Sequence, residues 1–260
     1  RIDIIFENSF FAMTHNFINL TDKQKDKPLF RVFTVNRLFE IFEENKLALV
    51  RPKKWDDPFE NYMMNATGEL ETGELFSIGF REHFYGQCWS FTRESDALWR
   101  IYAPAKDGVR VASTPRKLLK ALYAQGGKFQ AINSFIGKVS YLKTKELLEF
   151  IGKPGYVQSL ILDPSGIGQA QTLLFKRISF KHENEARLIY NSFGKIKSDI
   201  FKFKVDPIYL FDDIVFDPRM DYKAFAKYKI RLRELGFKKR IVKSTLYRIP
   251  KLKFKLDSRY

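Results

Sequence analysis

The 260-residue chain has a single thiol, Cys88. That excludes an intrachain disulfide and any cysteine-rich zinc site, and it suits a reducing compartment. The three histidines, His15, His83 and His182, have no metal-ligand spacing, so no metal is expected. No apolar run approaches the ~18 residues of a membrane span. The start, RIDIIFENSFF, lacks the basic region, apolar run and small-residue cleavage site of a signal peptide. A soluble, cytoplasmic protein that engages no membrane is the expectation. Arg1 in the first position adds the expectation that the native N-terminus lies upstream. The Gly-rich dinucleotide fingerprint, the phosphate-loop lysine motif, HExxH and the nucleophile elbow are all missing. Acidic charge is in short supply, with 30 Asp and Glu against 46 Lys and Arg and a net charge of +16.

The excess of cations is uneven. From Arg219 to Tyr260 there are 15 Lys or Arg against three acids, which leaves the longer remainder nearly balanced. A basic C-terminal region could steer nucleic acid or another anionic partner. A solvated, solubilising face is the other reading. Aromatic content is 16%, with 26 Phe and 12 Tyr, enough for extensive packing and stacking surfaces. A chain of 30.7 kDa can bury a full core.

The stretch from Gln87 to Ser113 organises the rest. Cys88 to Phe91 reads as a strand, a turn or short helix carries Trp99 and Tyr102, and Val109 to Ala112 reads as a second strand. Earlier, Phe30 to Thr34 reads as a strand, 37–44 as a helix with an apolar face, and Leu47 to Val50 as a strand. Pro52 and Pro58 frame a loop, WDDPFEN at 55–61. Later, 115–123 reads as a helix, 136–141 as a strand and 173–178 as a helix beside the site. Three strands follow at 186–190, 201–205 and 213–216, then a helix over 222–235. The alternation of Leu252, Phe254 and Leu256 with Lys251, Lys253 and Lys255 predicts a lysine-guarded edge strand.

Charge gathers at 180–190. In Glu183-x-Glu185-x-Arg187 all three side chains share one face if the strand starts that early, with Leu188 and Tyr190 opposite. A carboxylate at a strand end can hold a ribose hydroxyl or act as a general base; a structural ion-pair network is the alternative. Arg31, charged within the apolar strand FRVF, could bind a phosphate or carboxylate bidentately, or pair with Asp57 or Glu60. Ser90 could donate to a ribose or steady a glutamate, or simply end its strand satisfied. Trp99 and Tyr102 could stack a planar ring or belong to the core. Asp57 can cap a helix at Pro58, with Glu60 in its first turn. Alternatively, one of these acids faces the cleft. Asp57, Glu60, Glu183 and Glu185 could hold magnesium if they converge.

FRVF, the DPFE loop, CWSF at 88–91, the W-x-x-Y-x-x-x-x-x-G pattern from Trp99 to Gly108 and the E-x-E-x-R strand occur in the order of an uncharacterised bacterial family. The chain resembles this family, the domain of unknown function 2971, over about residues 30–250, with Asp56 where asparagine is usual. More distantly, the order is similar to the ADP-ribosyltransferase superfamily. That resemblance implies a single α+β domain with a split central sheet flanked by helices. It also implies NAD as the substrate. Arg31, Ser90, Trp99 and Tyr102 would then bind NAD, Glu185 and Glu183 would be catalytic, and Asp57, Glu60 and Arg187 would support them. The expected division is an extension over 1–29, a core over 30–218 and a basic helix and edge strand over 219–260. The expected activity is ADP-ribosyl transfer to nucleic acid in a toxin or anti-phage setting. A non-enzymatic module binding nucleic acid or a partner protein, and a metal-dependent nuclease, are the alternatives.

Overall fold

The computed structural model describes residues 13–55, 67–69, 72–77, 81–153 and 155–256. Asp57 and Glu60, and with them the DPFE motif, lie outside the described residues. The strands in chain order are β1 (Phe17–Ile18), β2 (Leu29–Thr34), β3 (Lys46–Val50), β4 (Thr67–Glu69), β5 (Leu75–Ser77), β6 (Phe84–Ser90) and β7 (Gly108–Ser113). They continue with β8 (Ser134–Lys138), β9 (Ser140–Leu142), β10 (Phe175–Arg177), β11 (Glu185–Asn191), β12 (Ile200–Lys204), β13 (Asp213–Phe216) and β14 (Arg240–Lys243). The main sheet runs β1-β8-β11-β6-β2-β7-β13-β14, and a branch carries β3 and β12. The expected α+β domain, a central sheet flanked by helices, is what the chain forms.

β6 is where the sheet forks. On one edge it pairs antiparallel with β11 over its whole length, from Glu185 opposite Ser90 to Asn191 opposite Phe84. On the other edge it meets β2 only at Phe30 opposite Ser90, and β3 only at Val50 opposite Gly86. Side chains serve the gap between these points. The Gln87 amide donates to the Ala48 carbonyl at 2.8 Å, and Arg31 donates through Nη1 to the Cys88 carbonyl. A split in the sheet thus becomes a cleft without leaving these buried polar groups unpaired.

Strand alternation separates the two faces. Ala186, Leu188 and Tyr190 join Tyr85 and Trp89 in the larger core, under the helices Val35–Glu44 and Pro115–Tyr123. Ile189 and Phe84 face the other way, into a smaller core with Phe135, Leu173 and Leu174. The helix Val35–Glu44 starts at Thr34, whose hydroxyl accepts from the Arg37 amide, and stops at Asn45 in the left-handed region. Its buried Leu38, Phe39, Ile41 and Phe42 follow the helical period.

The structure corrects two expected elements. Residues 173–178 do not form a helix. A 3-10 turn, Thr172–Leu174, gives way to the short strand β10 paired with β9. Residues 251–256 form no strand and are exposed. The edge is taken instead by β14, parallel to β13. The segment assigned to an N-terminal extension supplies β1 to the main sheet, and the segment assigned to a basic helix and edge strand supplies β14. Among the described residues no helix is long and apolar enough to cross a membrane.

Candidate active site

The cleft at the fork is a cavity of about 360 Å³. Arg31, Ser90, Tyr102, Glu183 and Glu185 all line it, together with Trp55, Cys88, Lys176 and Phe180. The early guanidinium and the late glutamates therefore open onto one space.

Glu185 begins β11, and its side chain is buried. Arg187, two residues on and on the same face, is fully buried and donates to Glu185 Oε2 from Nε at 3.0 Å and from Nη2 at 2.8 Å. Its Nη1 donates to the Leu173 carbonyl at 2.7 Å. Lys176 enters from β10, donating to Glu185 Oε1 at 3.2 Å and to Glu183 Oε2. Burial alone would raise the pKa of Glu185, but the Arg187 charge, a hydrogen bond with Glu183 and the Lys176 charge pull it down to about 2. In Glu183, burial and the neighbouring Glu185 push the pKa up to about 7. The two carboxyls thus titrate as a coupled pair in which Glu185 is held ionised and Glu183 is the one whose pKa is raised toward neutrality.

Glu183 does not arrive as the pattern implied. The strand starts at Glu185, and Glu183 ends the 3-10 turn Ile178–Glu183. Asn184, left-handed at φ 47°, reverses the chain between them and still leaves both carboxylates on Lys176. Ser90 fixes this turn. Its hydroxyl donates to the Glu183 carbonyl at 2.5 Å and accepts from the Thr92 amide at 2.9 Å. Its proton is therefore committed to the backbone, which corrects the expectation that it donates to a ribose.

Arg31 makes one hydrogen bond among the described residues, to the Cys88 carbonyl, and no ion pair. Burial depresses its pKa from the ordinary guanidinium value, while Cys88, Tyr102 and, least of the three, Glu185 oppose the shift. Among the described residues four of its five N–H donors have no partner.

Trp99 requires a correction. It is fully buried outside the cavity, with its indole N–H donating to Glu94 Oε1 at 2.8 Å. A Cβ on Gly108 would stand 3.3 Å from its ring. Three residues along the same helix, Asp96–Tyr102, Tyr102 is 43% exposed and lines the cleft beside Ile101. The spacing that suggested a shared face places one ring in the core and the other on the wall.

The sequence reading missed Lys176 and the role of Trp55. Lys176 stands beside Arg177 in the otherwise apolar run LLFKRISF, and a buried lysine there demands carboxylate partners. Trp55 lies over Gly86, where an added Cβ would come within 2.5 Å of the indole. The Arg187 guanidinium stacks on the same indole at 4.6 Å. Among the described residues, no three His, Cys, Asp or Glu side chains stand together as a metal site.

No protein-family model matches the chain, that of the domain of unknown function 2971 included, and no curated protein matches it. Solved structures of DarT from Thermus sp. 2.9 do. The complex with carba-NAD+ is 13% identical over 85% of this chain and 96% of that chain, with a TM-score of 0.37. The complex with NAD+ is 14% identical over 85% and 96%, with a TM-score of 0.36. The complex with ADP-ribosylated ssDNA is 13% identical over 84% and 94%, with a TM-score of 0.38. Superpositions this loose are a likeness only and support no statement about the ligands of this chain.

Proposed function

We propose that the cleft binds NAD and that the chain transfers ADP-ribose from it to a nucleic-acid acceptor. One observation carries the reading: Arg31, with four donors uncommitted among the described residues, and Glu185, held ionised in a buried setting, line the same cavity in the fork of the sheet. A dinucleotide presents what these groups complement. Arg31 holds the pyrophosphate bidentately. Trp55, Tyr102 and Phe180 supply faces for a planar ring. Three donors from Arg187 and Lys176 and the hydrogen bond with Glu183 fill the roughly four lone-pair sites of Glu185, and the one that Glu183 holds opens to a ribose hydroxyl when Glu183 loses its proton.

When the bond from ribose C1′ to nicotinamide breaks, its electron pair leaves with the nicotinamide nitrogen and positive charge develops on the sugar. Glu185, pre-organised and ionised, stabilises that charge. The acceptor then bonds to C1′ and loses its proton to Glu183, whose pKa near 7 suits a general base. Ser90 positions both carboxylates through the turn.

Incubation with labelled NAD and single-stranded DNA, duplex DNA, RNA or protein tests this. Label should pass to a nucleic acid, and only with Glu185 intact. The second reading, a binding module, is favoured by how completely the Glu185, Lys176 and Arg187 charges satisfy one another. Inertness toward NAD combined with salt-sensitive nucleic-acid binding would select it.

A further inference from the structure

A second hollow, also about 360 Å³, lies beside the cleft, with Phe30 in the wall of both. Gln24, Lys27, Phe91, Lys138 and Asn184 complete most of its lining. Three of its residues are chain neighbours of cleft residues: Phe30 precedes Arg31, Phe91 follows Ser90, and Asn184 separates Glu183 from Glu185. A hydrogen bond of 2.9 Å from the Phe91 amide to the Asn184 carbonyl ties two of them together.

The polar groups here are unspent. Among the described residues no carboxylate lines the hollow, and neither Lys27 nor Lys138 has an ion pair. The nearby acids are taken, Asp22 by Lys25 at 2.7 Å and Asp26 by Arg116 at 2.7 Å. Gln24 uses its carbonyl oxygen to accept from Thr21, and its amide nitrogen donates to no described residue. The Asn184 side chain makes no hydrogen bond among the described residues. Two aromatic rings complete the set, with Lys138 Nζ 5.9 Å from the Phe91 centroid.

Two ammonium groups without an ion pair, two rings and two open amides match one ligand chemistry. We infer that this hollow is a subsite for a nucleoside monophosphate unit. The phosphate lies between Lys27 and Lys138, the base stacks on Phe91 or Phe30, and the amides of Gln24 and Asn184 meet its polar edge. The inference stands on residues of the hollow itself and does not need the cleft to turn over NAD. Two sources share the chemistry, a nucleotide of an acceptor strand and the adenylate half of a dinucleotide.

Calorimetric titration with 5′-AMP and adenosine, at low salt, tests it on the wild type and on Lys27→Gln, Lys138→Gln and Arg31→Gln. AMP should bind at least about tenfold tighter than adenosine, and each lysine variant should weaken AMP about tenfold while its melting temperature holds. Arg31→Gln should leave this AMP site intact. Displacement of AMP by a short single-stranded oligonucleotide assigns the subsite to an acceptor strand, and displacement by NAD assigns it to the dinucleotide. No AMP binding, equal affinity for AMP and adenosine, or loss only in Arg31→Gln would overturn the inference. Nicotinamide release, assayed separately in the wild type and in Glu185→Gln, in both of which Lys27 and Lys138 are intact, reports on the cleft, so failure of one proposal is distinguishable from failure of the other.

Discussion

Glu185 is buried yet ionised because Arg187 and Lys176 meet it from opposite sides. Removing Lys176 leaves Glu185 to Arg187 alone and takes a donor from each of the two buried carboxyls, so Lys176→Met should destabilise the fold by about 1–3 kcal/mol in chemical denaturation. The same variant tests the role of Glu183. Lys176 lowers the Glu183 pKa, so transfer in the wild type should rise with pH through about 7 as Glu183 loses its proton and then level off. Without Lys176 that midpoint should move upward, and a pH–rate profile will show it. Stability has its own dependence. The folded pKa of Glu185, about 2, lies below its ordinary 4.5, so the stability it contributes is full above 4.5 and is lost as pH falls toward 2. Acid titration followed by circular dichroism checks this window.

At the scale of elements, the fork at β6 makes the cavity, and Gly86 lines it directly beneath Trp55. A methyl group there would collide with Trp55, which also carries the Arg187 guanidinium. Gly86→Ala should therefore cost about 1–3 kcal/mol and weaken ligand binding in the cleft, measured by denaturation and calorimetry. Much of this region was legible in the letters. Period-two alternation in 185–190 separates Glu185 and Arg187 from Leu188 and Tyr190, and the β2, helix, β3 unit follows from apolar spacing and the Thr34 cap. What escaped depends on partners distant in sequence. The run around Lys176 is too short for its period to distinguish helix from strand, and its pairing with β9 decides the matter. The tail over 251–256 has a strand's alternation but no strand beside it, since β14 already holds the edge. Trp99 and Tyr102 share a helix but not a destination, because Gly108 leaves room for only the first ring to sink.

Over the whole molecule, charge separates from chemistry. The helix Tyr222–Glu234 buries Phe225 and Leu232 and exposes Lys223, Lys227 and Lys229, and the tail beyond adds exposed Lys251, Lys253 and Lys255. We expect these cations to bind phosphates and not to set the fold. Beyond the Arg248 amide, the described tail shows no backbone hydrogen bond. Deleting residues 249–260 should change stability by less than about 0.5 kcal/mol. It should also flatten the salt dependence of single-strand binding, by about 0.7 in the log–log slope for every phosphate that the tail had neutralised. The cleft, by contrast, is a matter of two groups acting on one ligand, and nicotinamide release from NAD reads it most directly. The account predicts release by the wild type and a loss of at least about a hundredfold in Glu185→Gln, with NAD still bound through Arg31. Release that persists in Glu185→Gln, or a wild type that neither binds NAD nor liberates nicotinamide with any acceptor, would contradict it.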